Sequence, residues 1–344
     1  MKPLKALFIG GTGIISTDIS NMLGTYANWE LTLLNRGNRS SKLAPEANIR
    51  HWALDINDEE AVAKKLEGES FDVVANFINF DTDSIRRDIR LFSGKTKQYI
   101  FISSASAYQK PLSHYVITES TPVANPYWNY SQAKIACEDM LMAEYREKGF
   151  PITIVRPSHT YDKYTVPTSI HGKNGPWQIM KRMLHNKPVL VPGDGLTLWS
   201  LTHSTDFAKG FIGLMGNIHA IGETVHITSD ESLTWNQVYQ CIGAALGVTP
   251  KLYHVASDFL IACDPSYSGP LIGDKANSVV FDNSKIKGLV PGFVATTRFD
   301  MGIRQSVDYF VNNPKMQIED SDFDLFTENV IMAQERALEI FKGV

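Results

Sequence analysis

The chain predicts an α/β fold: a doubly wound parallel sheet with helices on both faces, followed by a smaller C-terminal α/β region. Three observations predict it. Short apolar runs alternate with segments of helical period from Leu4 to Val155. The first run ends in Gly10-Gly11-Thr12-Gly13. After Pro157 the alternation breaks into short pieces punctuated by Pro167, Pro176, Pro188 and Pro192. Strands that alternate with helices build parallel crossovers, and these cover both faces of a sheet.

Residues 4–9 are short, apolar and ended by glycine, which predicts a buried strand. A helix follows over 14–26, a strand over 30–34 and a polar loop over 35–45. Strands are predicted at 51–54, 72–77, 99–102 and 152–155, with helices at 58–66 and 83–92 between them. Asn125-Pro126 reads as a helix start, since proline suits the first turn. That helix runs over 127–146. In the second half, helices are predicted at 177–185, 205–215 and 234–246, a strand at 225–227, and terminal helices over 323–341. The implied division is a dinucleotide-binding domain over 1–157, its sheet completed by part of 188–228. An interleaved substrate-binding region covers 158–344.

Composition sets bounds. Of 344 residues, 43% are hydrophobic and 20% charged, which is ordinary for a globular protein. The net charge of −4 argues against a nucleic-acid binder, which carries a basic face. Cys137, Cys241 and Cys263 form no CxxC pair, so no zinc site and a reduced, cytoplasmic setting are expected. The first strand begins near Leu4, so no leader segment is expected. No apolar stretch approaches the roughly 18 residues of a membrane span, and no membrane partner is expected.

Gly10, Gly11 and Gly13 stand between a strand and a helix. Glycine allows the tight turn there and lets backbone N–H groups approach a pyrophosphate at the helix N-terminus. Ser16 occupies the place of a third glycine and is small enough for helix–strand packing. Thr12 either bonds a phosphate oxygen or caps the helix. The second strand ends in Asn35-Arg36-Gly37, with no acid to accept from a ribose 2′-hydroxyl. Arg36, with Arg39, suits a 2′-phosphate, so NADP is favoured over NAD. The alternatives for Arg36 are a solvated loop position or stacking on adenine. Asp55 and Ile56 either contact the adenine edge or, for Asp55, cap the helix near Asn57.

Tyr130 and Lys134 lie four apart on a predicted helix and so share one face. An ammonium beside a phenol favours the phenolate and lowers its pKa, bringing it nearer to working pH. Ser104 closes the strand 99–102 and offers a hydroxyl to a substrate oxygen. The Tyr-x-x-x-Lys spacing occurs once in the chain, and Tyr127 has Ser131 at its fourth place.

These residues together resemble the extended short-chain dehydrogenase/reductase superfamily, most closely its NAD-dependent epimerase/dehydratase family. The matching segments are Gly-Gly-Thr-Gly-Ile14-Ile15, Phe-Ile-Ser-Ser-Ala-Ser-Ala-Tyr, Tyr130-x-x-x-Lys134 and Val155-Arg156-Pro157. The resemblance covers about residues 4–260. It implies a Rossmann domain with a C-terminal substrate domain, and a homodimer. It implies Ser104, Tyr130 and Lys134 as the catalytic set, with Lys134 also on the nicotinamide ribose. It adds Ile14, Ile15, Phe77, Ile78 and Pro157 to the cofactor contacts.

Departures from the family pattern are informative. Ala105-Ser106 replaces the Asp-Glu pair of sugar dehydratases, which disfavours elimination of water. Trp199 stands where epimerases carry the arginine that holds a nucleotide-sugar phosphate. Ile78-Asn79 replaces a small-residue pair, and Asn35-Arg36-Gly37 resembles a branch that includes chloroplast stem-loop-binding proteins. Ser106, Ser158, His159 and Trp199 are the candidate substrate contacts, with His159 a possible second proton donor. His171, Lys173 and Trp177 are lid candidates, and Asp194 is a turn residue. The expected function is epimerisation or oxidoreduction of a sugar-like secondary alcohol or ketone. The alternatives are an NADPH-dependent reductase of a non-sugar ketone, or a cofactor-sensing or RNA-associated binding protein.

Overall fold

The computed structural model describes residues 2–37, 43–45 and 47–343. Its central sheet has seven parallel strands: β1 (Leu4–Ile9), β2 (Trp29–Asn35), β3 (Ile49–Ala53), β4 (Val73–Asn76), β5 (Tyr99–Ile102), β6 (Ile152–Pro157) and β7 (Thr224–Ile227). Their order is β7-β6-β5-β4-β1-β2-β3. The order reverses between β1 and β4, and a crevice opens there beyond the carboxyl ends of the strands. This is the doubly wound Rossmann-type sheet that the sequence predicts.

Helices α1 (Ser16–Gly24), α2 (Glu59–Lys65), α3 (Thr82–Phe92), α4 (Asn129–Lys148), α5 (Trp177–Leu184), α6 (Ser204–Leu214) and α7 (Trp235–Leu246) follow in chain order. The alternation in β1 shows why both faces are covered. Ala6 and Phe8 join a core with Ile19 and Leu23 of α1 and Phe207 and Phe211 of α6. Leu7 and Ile9 join the other, with Ile85 of α3 and Leu141 of α4. A third core gathers Leu190, Trp235, Tyr239 and Phe299 with Ala105 and Tyr108 from the first half.

Several expected boundaries move, each for a local reason. Helix α1 begins at Ser16, not residue 14, because Gly13 N donates to Ser16 Oγ at 2.9 Å and holds the loop as a turn. Helix α4 begins at Asn129. Asn125 does not start it: its Nδ2 donates to Ser106 O and Gly273 O, at 2.7 and 2.6 Å. Of the segment 188–228, only Thr224–Ile227 joins the central sheet. The strand Pro188–Pro192 pairs instead with Lys251–Val255. Helix α7 carries a capping box, with Thr234 and Gln237 satisfying each other's backbone N–H groups. The terminal helices span Phe299–Asn312 and Ser321–Lys342. No helix among the described residues is long and apolar enough to cross a membrane.

Candidate active site

The glycine loop forms one wall of a cleft of about 620 Å³ at the sheet's switch point. Gly10 and Gly11 take φ of 100° and 80°, which L side chains rarely adopt. A Cβ on Gly11 would also stand 2.7 Å from Leu33 Cδ2. The loop is fixed from behind: Ser20 Oγ donates to Gly11 O at 2.8 Å and Thr17 Oγ1 to Gly13 O at 2.7 Å. Gly10, Thr12, Gly13, Asn35, Arg36, Asp55, Ile56, Phe77 and Ile78 all line this cleft, as expected of cofactor contacts. So do Gly11, Ser16, Leu34 and Asn57. Ile14 is exposed and Ile15 packs against the core of α1, so neither is brought into the lining. Arg39 lies outside the described residues.

At the far end of the cleft three expectations are refined. Asn35 braces the loop, with Nδ2 donating to Gly10 O at 3.1 Å and Oδ1 accepting from Gly37 N at 2.9 Å. Asp55 does not cap α2. It accepts from Asn57 N at 3.0 Å, and the cap is Asp58, which accepts from Ala61 N at 3.1 Å. Thr12 makes no cap bond to α1 and stays at the cleft wall. Arg36 is exposed at the rim, and β2 ends in Asn35 rather than in an acid.

A second pocket of about 280 Å³ lies beyond the carboxyl ends of β5 and β6. Ser104, Ser106, Tyr130, Pro157, Ser158, His159 and Trp199 line it, so these sequence-predicted residues are brought together in one cavity. Pro157 belongs to this pocket rather than to the glycine cleft. Phe80, two residues beyond cleft residue Ile78, lies 6.4 Å from the Tyr130 ring, so the loop 77–80 runs from the glycine cleft to a side chain of the second pocket. Ser104 caps a 3-10 turn over Ala105–Ala107 and accepts from Ser106 N at 3.1 Å. Ser106 Oγ lies 2.9 Å from Ser104 Oγ and accepts from Ser131 Oγ at 2.8 Å. His171 and Lys173 are exposed and Trp177 is core, so none lines this pocket. Asp194 is a turn residue that accepts from Leu196 N.

Lys134 is buried behind Tyr130. Its Nζ donates to Asn79 O at 2.6 Å and Ile102 O at 2.8 Å, and lies 5.9 Å from the Tyr130 ring centroid. Two of its three N–H donors are thus committed to carbonyls. Asn79 is itself held: its Nδ2 donates to Asp88 Oδ2 and Tyr99 Oη, and Arg87 Nη2 donates to its Oδ1. The departure Ile78-Asn79 therefore supplies the anchor for the lysine.

The electrostatics correct one expectation. The Tyr130 phenol is raised above its ordinary value, not lowered. Burial is the main cause, the Ser104 hydroxyl acts against it, and the Asp274 charge adds to it. Burial pushes Lys134 down to about 8. The His159 imidazole is pushed down to about 3 by burial and then by the Lys275 charge. It is neutral at ordinary pH and does not serve as a charged proton donor. Sequence reasoning missed Trp128, Asp274 and Lys275 in this pocket. Trp128 is two residues from Tyr130, but nothing local marks Asp274 or Lys275. Among the described residues no cluster of His, Cys, Asp and Glu is set to hold a metal ion.

A switch-point cleft walled by glycines, beside a Ser-Tyr-Lys set, defines an NAD-dependent enzyme of the extended short-chain dehydrogenase/reductase class. A model of the NAD dependent epimerase/dehydratase family matches residues 6–227, and the chain belongs to that family. It is 25% identical to 2'-dehydrokanamycin reductase of Streptomyces kanamyceticus over 244 residues, 71% of this chain and 67% of that protein. It is also 25% identical to chloroplast stem-loop binding protein of 41 kDa b of Arabidopsis thaliana over 264 residues, 73% of this chain and 65% of that protein. The chain thus spans about two thirds of the length of these relatives. Its fold is similar to that of UDP-glucuronic acid 4-epimerase from Bacillus cereus, solved with UDP-glucuronic acid and NAD. The TM-score is 0.68 at 18% identity, covering 90% of this chain and 99% of that one.

Proposed function

We propose that the chain reduces a ketone on a sugar-like substrate with a nicotinamide dinucleotide, Tyr130 giving the proton. The observation that carries this reading is the shared pocket of Ser104 and Tyr130 at the ends of β5 and α4, one loop away from the glycine cleft. The cleft suits a dinucleotide, because its glycine loop exposes backbone at the N-terminus of α1. When bound, the nicotinamide supplies the hydride. Ser104 orients the substrate oxygen and Tyr130 protonates it as negative charge develops. A phenol held above its ordinary value is protonated at ordinary pH, the form in which it can give a proton to the substrate oxygen. The reductase among the relatives supports the same direction. Lys134 places positive charge behind the phenol, and its third N–H is left for the cofactor ribose. Ala105 and Ser106 offer no acid/base pair for eliminating water.

The pH dependence tests this reading. Lys134 is protonated below about 8, so reduction is expected to stay level up to there and fall as pH rises further. Lys134→Arg keeps its charge and moves the falling limb to higher pH. A rate that climbs through this range would count against the assignment.

Arg36 is read as the contact for a 2′-phosphate, which makes NADPH the preferred donor. Arg36→Ala is then expected to weaken NADPH by about 10–100-fold, the worth of one charge-assisted bond, and to leave NADH unchanged. Equal losses for both dinucleotides would remove the NADP preference. Epimerisation, the second reading, is favoured by family membership. It needs the ketone to turn over and the dinucleotide to be retained. Native mass spectrometry of the purified protein separates the two by whether a dinucleotide stays bound, and it tests the proposed homodimer. The stem-loop-binding relative raises RNA binding as a third reading. Salt-sensitive retention of RNA on a filter would support it, against the net charge of −4.

A further inference from the structure

The pocket beside Tyr130 holds polar groups that proton and hydride transfer do not use. One wall is the segment Leu271–Lys275, a single π-helical turn. Such turns are rare and recur at functional sites. This one is fixed from several sides. Asn125 Nδ2 ties Gly273 O to Ser106 O, next to Ser104. Trp235 Nε1 and Thr197 Oγ1 donate to Lys275 O at 3.2 and 3.1 Å. Gly269 lets the chain lie flat on Trp128, since a Cβ there would stand 2.3 Å from Trp128 Cδ1.

Held in this way, Asp274 and Lys275 line the pocket together with Trp128, Tyr130 and Trp199. Asp274 is 6% exposed; its Oδ2 accepts from Lys275 Nζ at 3.2 Å, and its Oδ1 is buried with no hydrogen-bond partner. Trp199 is 2% exposed, and its Nε1 is also buried without a partner. Unmet buried groups are costly unless a ligand meets them. One acceptor and one donor among indole rings match a polyhydroxylated ring, whose hydroxyls both give and accept hydrogen bonds. A diphosphate offers acceptors and needs cations. Lys275 lines this pocket and is already paired with Asp274, while the further cation nearby, Lys110, has its Nζ buried 5.8 Å from the Trp199 ring centroid and does not line the pocket. The free Asp274 oxygen would repel a phosphate.

We propose that Asp274 is the specificity residue of this site, accepting at Oδ1 a hydroxyl or ammonium hydrogen from a glycoside that carries no nucleotide diphosphate. The proposal rests on the reading of this pocket as the substrate site. It deepens that reading by naming the substrate class.

The test reads binding without turnover, so that its failure is distinct from a failure of the hydride-transfer reading. The full chain, loaded with NADPH, is titrated with methyl α-glucoside, methyl α-glucosaminide and UDP-glucose while tryptophan fluorescence is followed. One of the two glycosides is expected to bind at least about tenfold more tightly than UDP-glucose. Asp274→Ala should weaken that glycoside by about tenfold or more and leave NADPH affinity unchanged. Asp274→Asn separates the two donors: it keeps an acceptor for the neutral glycoside and loses the charge that an ammonium needs. Trp199→Phe, which keeps the ring and drops the N–H, should weaken the same ligand. Tighter binding of UDP-glucose, absence of binding by both glycosides, or equal affinities in wild type and Asp274→Ala would each overturn the proposal.

Discussion

Tyr130→Phe is expected to lower reductive turnover by about 10²–10⁴-fold, the usual worth of a positioned proton donor. The change is conservative in packing. The ring keeps its neighbours Phe80 and Trp128, with centroids 6.4 and 5.1 Å away, and loses only the hydroxyl. Three neighbouring groups are not placed to replace it. Lys134 Nζ is turned to the carbonyls of Asn79 and Ile102. His159 is neutral, its imidazole lowered by burial and then by Lys275. Ser104 Oγ is engaged with Ser106. Dinucleotide affinity should stay as in wild type, because the glycine cleft is untouched. The measurement is single-turnover oxidation of bound NADPH by a ketone that the wild-type protein reduces. A variant with an unaltered rate would refute the role given to Tyr130.

Glu138→Ala is expected to cost about 3–5 kcal/mol of folding stability, the range for breaking one side of a buried ion pair. Glu138 lies on α4, one turn beyond Lys134, and accepts from Arg156 Nε at 2.9 Å and from Arg156 Nη2. Ser103 Oγ donates to the same carboxylate. The alanine variant would leave Arg156, 5% exposed, as an uncompensated charge over the Tyr108 ring at 4.7 Å. Urea unfolding gives the readout. Glu138→Gln should fall between wild type and alanine, since the amide still accepts. The pair joins α4 to β6, and Ser103 immediately precedes Ser104, so activity should decline along with stability. A loss under about 1 kcal/mol for the alanine variant would mean that the pair does not hold the two elements together.

Much of the site is legible in the chain because its signals are local. Gly10-Gly11 marks a turn that only glycine takes comfortably, and the alternation in Leu4–Ile9 shows a strand covered on both faces. The period of an α-helix alone puts Tyr130 and Lys134 on one side of α4. Other roles depend on partners that the fold delivers. Asn35 lines the cleft as expected, and it also braces the loop through Gly10 O and Gly37 N. Asn125 reads as a helix start but joins Ser106 to Gly273. Neither choice has a sequence signature, because each depends on which carbonyl the fold delivers.

The sequence by itself determined the parallel sheet, the glycine turn and the spacing of phenol, amine and hydroxyl, since each follows from backbone sterics or from the period of one element. Only the tertiary structure decided the electrostatics and the far wall of the substrate pocket. Burial, which no local pattern encodes, raises Tyr130 and lowers Lys134 and His159. Asp274 and Lys275 reach Tyr130 from more than 140 positions away, because packing of the C-terminal core against Trp128 carries them there.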